Sequence, residues 1–151
     1  MKKKQKWHNQ EKFSFSLEFQ LEVLRFLIQS KESPMVLNKV KPGYFTLIEH
    51  SIILEALKKH YKKYKKIPGM PVLIETTRKL LDGREYVDLV TVEDIPNINA
   101  AIQQLYTQPL KDEEVIHENI YKFAAYLEMK DLNEQMDFSN YNLYEDYQNK
   151  I

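Results

Sequence analysis

Thr46-Leu47-Ile48-Glu49-His50-Ser51-Ile52-Ile53-Leu54-Glu55-Ala56-Leu57 is the stretch that decides the fold. Its threonine and first glutamate stand at capping-box spacing, where hydroxyl and carboxylate each satisfy an otherwise orphaned amide. Ile48, Ile52, Ile53, Ala56 and Leu57 then recur at three- and four-residue steps, and Tyr61 and Tyr64 continue the inner side, so the pattern predicts a helix to about Lys65. Ile67-Pro68-Gly69 stops it. Pro71 opens the next helix, which carries Val72, Leu73, Thr76, Leu80 and Leu81 before a charged loop from Asp82 to Asp88.

The same period continues on both sides. Upstream, Leu17, Leu21, Leu24 and Ile28 form a stripe that Phe19, Val23 and Phe26 widen, with Ser16 as the cap. Ser33-Pro34 starts a short helix that Lys41-Pro42-Gly43 ends, and the aromatics Tyr44 and Phe45 follow in a turn. Downstream, Thr91 or Asp94 caps a helix carrying Ile98, Ala101, Ile102 and Leu105 and ending near Gln108-Pro109. Asp112-Glu113-Glu114 suits the positive start of a last helix, with Ile116, Ile120, Phe123, Ala124 and Leu127 on its apolar side. Only Tyr86 to Val92 reads like a strand, and one strand has no partner. The expectation is an all-α chain: a basic arm over residues 1–12, a compact helical head over 13–95, an antiparallel helical hairpin over 96–136 and a linker over 137–151. In that linker Tyr141, Tyr144 and Tyr147 stand three apart and suit a short helix.

A chain of 151 residues fits one ordinary domain and, at roughly 68–70% of its surface buried, builds a core without staples. It has no cysteine, which removes disulfides, thiolate metal sites and a thiol nucleophile together and points to a reducing compartment. The basic start, Met1 to Lys6, is followed by Glu18, Gln20 and Glu22 rather than by a continuous apolar run, so neither a signal peptide nor a membrane span is expected. The reading is a soluble, cytoplasmic protein. The net charge of zero hides an asymmetry: residues 1–111 sum to +7 and residues 112–151 to −7. The two portions should attract each other, or their counterparts in neighbouring copies.

Catalytic machinery is hard to assemble from this chain. Its three glycines, Gly43, Gly69 and Gly83, sit in no phosphate loop and no dinucleotide fingerprint. His8, His50, His60 and His117 include no pair at zinc-protease spacing. Ser14 and Ser16 have no adjacent base. No catalytic, cofactor-binding or metal-ligating residue is therefore assigned, and the chain is read as a non-enzyme.

The most unusual segment is Lys58-Lys59-His60-Tyr61-Lys62-Lys63-Tyr64-Lys65-Lys66. On a helix its tyrosines fall inward and Lys58, Lys59, Lys62, Lys63, Lys65 and Lys66 spread over the outer arc. Such a ridge can touch a DNA backbone without reading bases, or can simply be a solvated helix end. Lys2, Lys3, Lys4 and Lys6 with Trp7 form a second basic patch.

Four pieces in order are similar to a known family. They are Phe15-Ser16-Leu17-Glu18-Phe19-Gln20-Leu21-Glu22-Val23-Leu24, then Val40-Lys41-Pro42-Gly43-Tyr44-Phe45, then His50 to Leu57, then Tyr61 with Ile67-Pro68. The set resembles the N-terminal domain of DnaB-type replicative helicases, particularly their phage versions. It covers residues 15–81, and Ile116 to Leu127 resembles the hairpin and linker segment that follows there. The resemblance implies an all-helical collar piece that forms a homo-oligomer through its hairpin and docks primase or a helicase loader during DNA replication, the ATPase motor lying in a separate domain. Ile98, Ile102, Leu105, Ile116, Ile120, Phe123 and Leu127 are the expected contacts between copies, although the same residues could instead close the hairpin on itself or on the head. The alternative is a stand-alone helical nucleic-acid-binding or regulatory protein acting through the lysine ridge. The loop from Asp82 to Asp88 and the ridge are not family features.

Overall fold

The computed structural model describes residues 16–83, 86 and 88–138, the last five by backbone alone. Its helices are α1 (Leu17–Gln29), α2 (Ser33–Val36), α3 (Ile48–Tyr64), α4 (Met70–Leu81), α5 (Asp94–Thr107) and α6 (Glu113–Phe138), with single 3-10 turns at Leu37–Lys39 and Pro42–Tyr44. The all-α expectation holds, and no strand occurs among the described residues. The stretch that read as a strand instead contributes Tyr86, whose hydroxyl donates to Glu55 Oε2 at 2.6 Å. The basic arm and the tyrosine-rich tail after Phe138 lie outside the described residues.

Several ends form as the local chemistry dictates. Ser16 Oγ accepts from the amide of Phe19 at 3.2 Å and starts α1. Pro71 sits in the first turn of α4, where its missing N–H costs nothing. Neither Thr91 nor Asp94 caps α5: its N-cap is Glu93 without a side-chain bond, and Asp94, the first helical residue, accepts from the amide of Thr91 at 2.9 Å. The capping box at Thr46 does not form: Leu47 is the N-cap of α3 and has no side-chain cap bond. Thr46 is taken by Gln20 of α1, which accepts from its amide at 2.9 Å and donates to its hydroxyl at 3.0 Å. A two-bond clamp to another helix outcompetes a local cap here. The stop of α3 also differs from expectation. Lys65 takes the left-handed conformation (φ 59°) and its amide donates to the Tyr61 carbonyl at 2.8 Å, closing the helix before Ile67.

α1 is the pivot of the packing. Its Val23, Leu24, Phe26 and Leu27 are fully buried, and it touches α2, α3, α5 and α6. α3 and α4 pair along their length, α5 lies against α1, α3 and α4, and α6 lies against α1. Three rings converge on Phe123 of α6: Phe19 at 5.6 Å, Tyr44 at 6.0 Å and Phe45 at 6.1 Å between centroids, all edge-on. One continuous apolar cluster results, running from Val23 through to Leu127.

This packing corrects the expected contacts between copies. Ile98, Ile102, Leu105, Ile116, Ile120, Phe123 and Leu127 are all buried inside the chain. They close α5 and α6 onto the front half, because a single helix this size, α1, offers apolar side chains in several directions and both later helices dock on it. No face made of these seven is open to a second molecule.

Candidate interaction surfaces

What α6 leaves outside is a different stripe. Tyr121, Ala125 and Met129 are spaced four apart and so stack on one side of the helix, about 170° from the buried side. Tyr121 is 39% and Met129 46% exposed, and Val115 at the helix start is 55% exposed. The stripe is bordered by Glu118, Lys122 and Glu128, with Lys122 Nζ 3.8 Å from Glu118. At 26 residues α6 is roughly 39 Å long, and residues 128–133 stay outside the core.

The start of the same helix is strongly acidic. Glu32, Asp112, Glu113 and Glu114 line an open hollow of about 620 Å³ together with Val115 and His117. Glu113 accepts from Ser30 Oγ at 2.5 Å. The acids suit the positive helix end, which accounts for their position without a ligand.

Opposite in charge is the outer arc of α3. Lys59, Lys62, Lys63, Lys65 and Lys66 are exposed and Lys58 is half-buried. Burial, and then the neighbouring Lys41, hold the Lys58 ammonium below the usual lysine range. Lys58, Lys59 and Lys62 line an open groove of about 670 Å³ whose other wall is α4, with Lys79, Leu80 and the turn at Gly83. A second hollow of about 350 Å³ shares Lys58 and Lys62 and adds Tyr61 and Lys65. The structure thus brings the ridge together with Lys79, which sequence reasoning missed; its place two turns into the helix after the Pro68-Gly69 reversal was the available signal. Tyr61 is half-buried, but Tyr64 is not inward: it is 53% exposed, with the His60 ring tilted against it at 4.6 Å and Lys63 Nζ 5.3 Å from its centroid.

No protein-family model, curated protein or solved structure matches this chain. Among the described residues no three metal-ligating side chains come together, and no helix is long and apolar enough to cross a membrane.

His50 and His117 are built into packing. His117 lies against Phe26 at 5.2 Å and Tyr121 at 5.6 Å. His50 is buried edge-on to Phe45 at 6.3 Å, and its Nδ1 has no hydrogen-bond partner among the described residues. Burial lowers its pKa below the ordinary 6.5, outweighing the upward pull of Glu49. The folded chain therefore holds His50 neutral while the unfolded chain binds a proton near pH 6.5. Stability from this group is complete above that value and is lost as pH falls through the depressed pKa. Urea midpoints measured from pH 7.5 down to pH 5 should fall more steeply for the wild type than for His50→Leu; parallel curves would refute the assignment.

Proposed function

We propose that this chain is a non-catalytic, N-terminal assembly domain of a DnaB-type replicative helicase of the phage kind, acting in the cytoplasm to organise a homo-oligomer and to dock primase or a loader. The observation that carries the reading is the meeting of its separate sequence pieces. Phe19 comes from the first, Tyr44 and Phe45 from the second, and Phe123 from the later helical segment, and they form one ring cluster. His50 of the third packs on Phe45. Pieces that resemble a family in order alone thus serve a common structural purpose.

Assembly uses the outer stripe of α6, Tyr121, Ala125 and Met129, in place of the buried residues expected at first. A second copy is the occupant this face suits, because the chain is neutral overall yet carries a basic α3 and an acidic α6, so copies attract at opposite poles. The polar association weakens with salt. Mass measured by sedimentation from low to high micromolar concentration tests this. Reversible self-association, reduced at high salt, is expected, and a strict monomer throughout would overturn the proposal.

A further inference from the structure

The groove between α3 and α4 is a site in search of an anion. Lys58, Lys59 and Lys62 approach from one helix and Lys79 from the other. Its one carboxylate among the described residues, Glu55, already accepts from the Tyr86 hydroxyl at 2.6 Å. Among the described residues no carboxylate lies within 4.0 Å of any of these four ammonium groups. Four like charges around one hollow repel one another, and Lys58 in addition gives up part of its water. An anion in the groove relieves both costs.

The shape favours a polymer over a single small anion. The neighbouring hollow shares Lys58 and Lys62 and continues to Lys65 at the helix cap, so the positive track follows α3 from Lys58 to its end at Tyr64, about 9 Å. Among the described residues the main groove offers lysine point charges and no Arg, Asn or Gln, the groups that recognise base edges, and the neighbouring hollow adds only Asn38. We infer that the α3–α4 groove binds the phosphodiester backbone of a nucleic acid without sequence preference, through Lys58, Lys59, Lys62 and Lys79. This site uses different residues from the Tyr121–Met129 stripe but shares the basic face of α3 with the proposed attraction between copies, so it rests on that face being open to the nucleic acid.

The test is fluorescence anisotropy of a labelled thymidine 20-mer, titrated with the full chain at 50–300 mM KCl. Binding should be in the weak, salt-sensitive range of non-specific contacts, about 10⁻⁴–10⁻⁶ M, with a log–log salt slope near −0.7 per phosphate neutralised. Changing Lys58, Lys59, Lys62 and Lys79 together to Gln should flatten that slope by about 3 and weaken binding ~10-fold or more at 100 mM salt. Lys111→Gln, at an exposed position in the turn before α6, should leave it unchanged. Melting by circular dichroism checks that the fourfold variant folds. Should it not, the exposed Lys79→Gln alone should flatten the slope by about 0.7. The inference is overturned if the lysine variants bind as the wild type does, or if the 20-mer does not bind. It is also overturned if inorganic tripolyphosphate displaces the 20-mer as well as unlabelled 20-mer does, which would make this a small-anion site. Loss of self-association with unchanged DNA affinity would equally overturn it, assigning the groove to the acidic helix of a second copy.

Discussion

Phe123→Ala should destabilise the chain by about 3–5 kcal/mol, the range for truncating a fully buried aromatic residue. The residue is 1% exposed, and its ring is the meeting point of Phe19, Tyr44 and Phe45. Its loss leaves a cavity walled by α1, the turn before α3 and α6, and the surrounding rings forfeit edge-to-face contacts worth about 0.5–1.5 kcal/mol each. A domain of this size holds only about 5–15 kcal/mol in total, so the variant should unfold at a far lower urea concentration. Phe123→Leu, which keeps most of the volume, should recover much of the loss. If Phe123→Ala instead dissociated an oligomer while leaving the midpoint where it was, the residue would be an interface group and the packing described above would be wrong.

The second large effect is the opposite kind. Tyr121→Ser combined with Met129→Ser should leave the urea midpoint within about 0.5 kcal/mol of wild type, as exposed substitutions do. Self-association should weaken by about 2 kcal/mol or more, roughly 30-fold in the dissociation constant, since a central tyrosine of an interface carries that much. Unchanged association would remove the stripe from the interface. Taken together the two variants separate the inner and outer faces of one helix.

That separation is where sequence reading and structure part. The periods of α1 and α4, the Ser16 cap and the Pro71 start were legible because each is set by neighbours within four residues. Thr46 was misjudged for the reverse reason: its partner, Gln20, lies 26 residues away, and no local pattern announces it. Ile116, Ile120, Phe123 and Leu127 were correctly placed on one apolar face, but apolar spacing is the same for a core and for an interface, so their burial had to come from α1. The outer stripe went unread because Ala125 is small and the residues between its members include Phe123, Ala124 and Leu127 of the buried face. On the candidate nucleic-acid side, six lysines in nine residues marked α3 at once, whereas Lys79 joined them only when the reversal at Pro68-Gly69 laid α4 alongside.

A chain without cysteine allows one clean label. Met129→Cys carrying a nitroxide, measured by double electron–electron resonance at concentrations where the mass exceeds one copy, reports directly on whether α6 faces its equivalent or another part of a neighbour. The account predicts a defined intermolecular distance from position 129 that vanishes in the Tyr121→Ser background, and no defined distance from Val92→Cys, which is 81% exposed and lies before α5. An associated protein giving no intermolecular coupling at position 129 would contradict it.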